Sequence, residues 1–212
     1  MNNAELEQQQ RRERLEAVSD AKRTLILNAA REVFDSQGLD GASMREIARR
    51  AGYTPGAIYS YFPSKEEIYG ALLAESLERL QSAVQLQLAS ADTDAERAAS
   101  AAMGFFRFYA QHPRDLDLGL YLLGGARPHG LTPELNQVLN DRLYNALAPF
   151  ERALQALGAS AAEARSETTA FFAHCVGLLI LENTRRIRMF EQDATALCAL
   201  YVQRVIARLL AA

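Results

Sequence analysis

Tryptophan is absent from this sequence, cysteine occurs twice, and only 12 glycines and 6 prolines stand among 212 residues. Two cysteines cannot supply the dense disulfide framework of a small secreted domain. Cys175 and Cys198 fall inside apolar helical patterns, where buried, reduced thiols are expected. So little glycine and proline excludes collagen-like and low-complexity chains. No stretch approaches the roughly 20 uninterrupted apolar residues of a spanning helix, and the polar N-terminus lacks the apolar segment of a signal peptide. A cytoplasmic protein without a membrane partner is expected. His112, His129 and His174 show no ligand spacing with one another or with the cysteines. There is no phosphate-cradling glycine loop and no nucleophile elbow. Nothing therefore predicts a metal, a cofactor, a catalytic residue or enzyme activity.

A strong charge of one sign is also missing. The net charge of −3 excludes a general nucleic-acid coat protein, whose affinity comes from phosphate neutralisation by Lys and Arg. The balance is nevertheless uneven. Residues 1–65 carry 10 Lys and Arg against 9 Asp and Glu, whereas residues 66–212 carry 13 against 17. Between residues 43 and 65, Glu46 alone opposes Arg45, Arg49, Arg50 and Lys65. A basic patch on an acidic body steers one face toward DNA.

What is abundant is Ala, Leu, Arg, Glu and Gln, all favourable to helix. Residues 1–19 form a polar N-terminal extension, either a frayed tail or a helical stem; Arg11, Arg12 and Arg14 face a phosphate backbone or, diluted by four glutamates, only solvent. From Asp20 the pattern turns helical, with Ile26, Ala29, Ala30, Val33 and Phe34 at spacings of three and four, and Gly38 supplies a left-handed stop. Ser43 and Glu46 are spaced as a capping box for a second helix ending near Gly52. Thr54 caps a third, with Pro55 at its first position. Pro63 stops it, and Ser64 with Glu67 opens a fourth that reaches about Ala89. Two short helices joined by "GYT" and packed on a preceding one describe a helix-turn-helix.

Such a motif inserts its second helix into the major groove while neighbouring groups fix the register at phosphates. Here that helix begins Thr54-Pro55-Gly56-Ala57, small residues that let the backbone approach a groove wall. Tyr59 and Tyr61 carry hydroxyls within reach of phosphate oxygens, whereas Ile58 and Phe62 face inward as core. Lys65 lies in the first turn of the next helix, an odd place for a cation on dipole grounds. A phosphate shared with the exposed amides would explain it.

The segment "ILNAAREVFDSQGLDGASMREIARRAGYTPGAIYSYFPSKEEIYGAL" resembles the N-terminal DNA-binding region of the tetracycline-repressor-like (TetR/AcrR) regulators. The likeness covers about 47 residues and includes the Ala-Ala of the first helix, Gly38, Ile47-Ala48, Ala51-Gly52, Tyr59, Phe62 and Lys65. It implies DNA contact at Arg45, Thr54, Gly56, Ala57, Tyr59, Tyr61 and Lys65, and the intervening Pro55 and Ser60 are placed in the same interface. Tyr61 departs from the family, where many members have His; its hydroxyl still serves a phosphate.

The remaining chain resembles the family only in outline. Thr93, Pro113, Thr132-Pro133, Ser160 and Asp193 open five further helices, expected to end near Gln111, Gly124-Gly125, Leu157, Phe190 and the last residue, with "GGARPHG" as the clear loop. The expected fold is all-α: a three-helix head over residues 20–65, then a six-helix ligand-binding and dimerisation body over residues 66–212. Along Ser160–Phe190 the apolar surface is too broad for one partner, and Ala173 and Gly177 would admit a close neighbour. With Leu181, Leu197, Tyr201, Val205 and Leu209 they form either a four-helix dimer interface or an intramolecular core. Phe105, Phe108, Tyr109, Tyr121, Tyr144, Phe171 and Phe172 line either a pocket for an apolar or aromatic effector or a plain core. His174 either bonds that effector or is a satisfied interior histidine. Arg185, Arg186 and Arg188 either complement the end of the long helix and pair with Glu182 or bind an anionic ligand. The family resemblance implies a homodimer on a pseudo-palindromic operator, a repressor in most members, released by an unidentified small molecule. The alternatives are a constitutive DNA-binding dimer, and a small-molecule-binding protein or enzyme with a vestigial head.

Overall fold

The computed structural model describes residues 3–119 and 131–211. Among them are nine α-helices and no strand. They form two compact units, one chiefly of residues up to Leu72 and the other chiefly of residues from Leu73 onward.

The first unit contains α1 (Asn3–Gly41), α2 (Met44–Ala51), α3 (Pro55–Tyr59) and the opening of α4 (Lys65–Leu88). Helix α1 starts well before Asp20: the polar extension is helical from Asn3, with Arg12 and Glu16 paired at 2.8 Å along one face. Residues 5–21 are all exposed, so tertiary packing begins only beyond them. The backbone breaks at Gly38, where φ is 69° and ψ is 176°. That is an almost glycine-only conformation, and a final turn follows before α2. Ile26, Ala30, Val33, Ile47, Ala48 and Ile58 are fully buried, and Phe62 is nearly so. Each large apolar side chain removed from water in this way contributes roughly 1.5–3 kcal/mol. Phe34 meets Tyr69 edge to face at 6.2 Å, tying α1 to the start of α4.

The second unit contains the rest of α4, α5 (Asp94–Gln111), α6 (Pro113–Gly119), α7 (Pro133–Ala156), α8 (Ala161–Asn183) and α9 (Ala194–Leu210). Complete capping boxes start α5 at Thr93/Glu96 and α8 at Ser160/Glu163. Hydrogen bonds from the capping residues hold the Glu96 and Glu163 carboxyls below the usual carboxylate range. Helix α5 is central, packing on α6, α7, α8 and α9. At Gly104 a Cβ would lie 3.3 Å from the Val84 Cα, so glycine permits the close approach of α4 and α5. The loop expected at 124–130 lies outside the described residues.

Helix α8 ends at Asn183, seven residues before the expected stop near Phe190. Arg185 takes a left-handed conformation, and a 3-10 turn spans Arg186–Phe190. The arginines therefore lie beyond the long helix, and among the described residues none of their side chains pairs with Glu182. The turn leaves Met189 and Phe190 78% and 62% exposed. Cys175 and Cys198 are buried free thiols with their sulfurs 3.9 Å apart across α8 and α9. Burial pushes the Cys175 thiol up.

Candidate nucleic-acid interface

Local backbone chemistry builds the turn between α2 and α3. The Ser43 hydroxyl accepts from the Glu46 amide, starting α2. The expected capping box is half realised, because the Glu46 carboxylate pairs with Arg49 at 2.6 Å. That bond lowers the Glu46 pKa. Gly52 closes α2 at φ 75°, donating to Ala48 and Arg49 carbonyls, and the Tyr53 amide returns to the Ala48 carbonyl at 2.9 Å. The chain is then extended at Thr54, whose side chain accepts from the Ala57 amide, and Pro55 occupies the first helical position of α3. Ile58 and Phe62 point into the core, as the pattern predicts.

The opposite side of α3 faces outward. Thr54, Pro55, Gly56 and Ser60 are exposed, Ala57 and Tyr61 are half-buried, and Tyr59 is 53% exposed. A Cβ built on Gly56 meets nothing within 4 Å, so its openness is toward solvent and imposes nothing on the fold. Ser60 donates its hydroxyl back to the Ala57 carbonyl at 2.7 Å. The phenols of Tyr59 and Tyr61 have no hydrogen-bond partner among the described residues.

The basic patch divides by what each cation touches. Arg49 is held by Glu46, and Arg50 by Glu32 on α1 at 2.7 Å. Exposed Arg45 makes no ion pair or hydrogen bond with the described residues. Without DNA, the Lys65 ammonium lies on backbone carbonyls of the α1–α2 corner, 2.8 Å from Leu39 O and 3.1 Å from Ala42 O. One contact the sequence reading missed is Arg23, whose guanidinium lies 4.2 Å from the Phe62 ring centroid. An arginine 39 positions away in the chain carries no local signal of that partnership.

The effector candidates divide likewise. Phe105 sits edge to face with Tyr109, Phe171 and Phe172 at 5.3–6.1 Å, and Phe108 packs on Tyr109. Burial pushes the Tyr109 hydroxyl well above its ordinary value. Tyr144 does not join them: it is 43% exposed and donates to Glu151 at 3.0 Å. Tyr121 lies outside the described residues. His174 stacks on Tyr201 at 4.6 Å, and its buried Nε2 has no hydrogen-bond partner among the described residues. Of the dimer candidates, Ala173 and Gly177 are exposed and Leu181, Leu197, Tyr201 and Leu209 half-buried. Val205 is a correction: at 5% exposure it belongs to its own subunit's core, on the inward face of α9 with Cys198 and Val202.

A tri-helical head presenting a short helix, joined to a separate helical unit, describes a helix-turn-helix. Residues 26–72 match the family model described as bacterial regulatory proteins, tetR family. The match to that family is confined to this segment. It is 38% identical over 89 residues to the HTH-type transcriptional activator FasR of Mycolicibacterium smegmatis, covering 42% of this chain and 41% of that one. It is 44% identical over 57 residues to the HTH-type transcriptional regulator UidR of Escherichia coli, covering 27% and 29%. The chain thus spans less than half the length of these curated relatives. Similarity of fold extends further. FadR from Bacillus subtilis, solved with stearoyl-CoA, aligns over 86% of this chain and 97% of its own at 22% identity and a TM-score of 0.66. A tetR-family regulatory protein from Rhodococcus RHA1 aligns over 89% and 96% at 22% identity and a TM-score of 0.67. No helix among the described residues is long and apolar enough to cross a membrane.

Proposed function

We propose that the protein is a cytoplasmic, ligand-responsive transcriptional regulator, not an enzyme, that binds a pseudo-palindromic operator as a homodimer and represses until a small apolar or aromatic effector releases it. The observation that carries this reading is the outward N-terminal turn of α3, with Gly56 open to solvent and unpartnered Arg45 and Tyr59 in the same head. Unpartnered donors at a surface cost little in water and gain charge-assisted bonds at phosphates. Arg45, Thr54, Pro55, Gly56, Ala57, Tyr59, Ser60 and Tyr61 compose the interface.

The dimer is supported by the outer faces of α8 and α9. Ala173 and Gly177 stand one helical turn apart and exposed, and a Cβ at Gly177 meets nothing within 4 Å. Small residues so placed let a partner helix approach closely. Two-fold symmetry then sets the half-sites about 34 Å apart or a multiple of that. For the effector, the support is the aromatic cluster around Phe105 and Phe171, together with the stearoyl-CoA bound by the Bacillus subtilis FadR. Acyl-CoA thioesters and aromatic acids therefore head the panel to be screened. Helix α4 has residues in both units and is the covalent route for a signal; a coupling of about 1–3 kcal/mol changes operator affinity roughly 5- to 150-fold. A second reading, a constitutive DNA-binding dimer, is favoured by one observation: the buried Phe171 ring packs against both Phe105 and Phe150.

Selection of bound fragments from random duplex DNA tests the proposal. An enriched inverted repeat, weakened by a compound from the panel, supports it; enrichment that no compound alters supports the constitutive reading. No enrichment at low salt refutes both.

A further inference from the structure

We propose that the helical stem ahead of the head is a second DNA-contacting element, with Arg11, Arg14 and Lys22 set against phosphates beside the bases read by α3; this rests on the reading of the head as a DNA-binding element. The stem is part of α1, unbroken until Gly38, and its residues 5–21 are exposed. At 3.6 residues per turn, spacings of three and four mark one face of a helix. Arg11, Arg14, Val18, Lys22 and Leu25 recur in that way, and Glu13, Glu16 and Asp20 do so on the opposite face. Glu13 accepts from Gln9 at 3.0 Å and Glu16 pairs with Arg12 at 2.8 Å, so both acids are engaged within their own side. Arg11, Arg14 and Lys22 have no hydrogen-bond or ion-pair partner among the described residues. The stem is neutral in sum but divided by face, and its unpaired cations collect on one of them.

Two contacts fix how the stem leaves the head. The cationic stripe continues along α1 through buried Ala29 to Glu32, which takes Arg50 of α2 at 2.7 Å. It therefore lies on the side of α1 that meets α2, the helix that also carries Arg45 and Arg49. Round the helix from the stripe, the Arg23 guanidinium lies 4.2 Å from the ring centroid of Phe62, a short step past the end of α3 at Tyr59. The stem thus emerges beside the end of α3. Arg11 and Lys22 stand about 16 Å apart along the axis, at 1.5 Å per residue, and over that length each strand of a duplex offers a phosphate about every 3.4 Å. Val18 and Leu25 give the face some apolar surface, but a second copy of the chain laid on it would set cations against cations. A duplex supplies the opposite charge. Arg12, paired on the other face, takes no part.

The test is operator affinity as a function of salt, with hydroxyl-radical footprinting of the complexes, for the wild-type protein, the triple variant Arg11→Gln/Arg14→Gln/Lys22→Gln and the single variant Arg12→Gln. Glutamine keeps the helix propensity and removes the charge. In the triple variant the slope of log affinity against log salt should fall by about 2.7, at about 0.9 per lost phosphate contact, on the operator and on unrelated duplex alike. Arg12→Gln should leave the slope unchanged; a fall of about 0.9 there would be a general effect of charge and would overturn the assignment to one face. Footprints of the wild-type complex should show backbone protection past the base pairs that selection enriches, and that extra protection should vanish in the triple variant. Wild-type protection that stops at those base pairs, or an unchanged slope in the triple variant, overturns the proposal and leaves the reading of the head intact. A triple variant of altered assembly mass by light scattering would give the face to a second copy and overturn it too. A wild-type protein that selects no DNA refutes the reading of the head, and the stem contact falls with it.

Discussion

The head and the body are both helical, but they hide and expose different things. In the head, the informative residues are small or polar and lie outside: Thr54, Pro55, Gly56 and Tyr59 are exposed over a core of Ile26, Ile47, Ile58 and Phe62. In the body the candidate residues are large and buried, with Phe105 and Phe171 at 1% and 0% exposure. An exposed residue that the fold does not need argues for a partner. A buried ring is accounted for by packing alone, so the head's function follows from its surface and the body's must be drawn out by a ligand.

The sharpest way to break this contrast is to truncate a ring. Phe171→Ala removes contacts to Phe105 and Phe150 and should destabilise the body by about 3–5 kcal/mol, with DNA affinity of the folded fraction unchanged. Chemical denaturation and operator titration below the transition measure the two quantities; a loss of affinity without loss of stability would put Phe171 in the signalling machinery. Next comes Gly177→Arg. Because that position opens to solvent, the subunit should fold normally while light scattering gives the monomer mass; an unaltered dimer would place the interface elsewhere. The smallest effect belongs to a surface cap. The lowered Glu96 pKa means that its stabilisation is present above the unfolded value of about 4.3 and is lost as pH falls through the folded value. Thermal melts of the wild-type protein and Glu96→Gln should therefore differ near neutral pH and converge in acid; a constant difference would show that the carboxylate is not the stabilising form.

What could be read beforehand was whatever local chemistry enforces. Ser43, Gly52, Thr54, Pro55, Thr93, Ser160 and Asp193 bound their helices as expected because each satisfies or omits a backbone group within a few residues. The features not legible beforehand share the opposite property. Lys65 finds its carbonyls 23 to 26 positions away, where sequence spacing carries no information. The end of α8 turns on a left-handed arginine, at φ 57°, with no glycine or proline to announce it. Val205 repeats on α9 at the spacing of a helix face, but periodicity does not say whether that face meets its own subunit or another. The extension before Asp20 has no apolar period at all, yet is helical along its described length.

The central claim, that the outward turn of α3 reads DNA, is tested most directly by comparing the wild-type protein and Gly56→Val on a selected operator and on unrelated duplex. A Cβ at position 56 meets nothing within 4 Å in the protein, so the fold and subunit mass should be unchanged. Specific affinity should fall about 30-fold or more, roughly 2 kcal/mol, while non-specific binding persists. Equal specific affinity in the two proteins would contradict the account and move the interface away from α3.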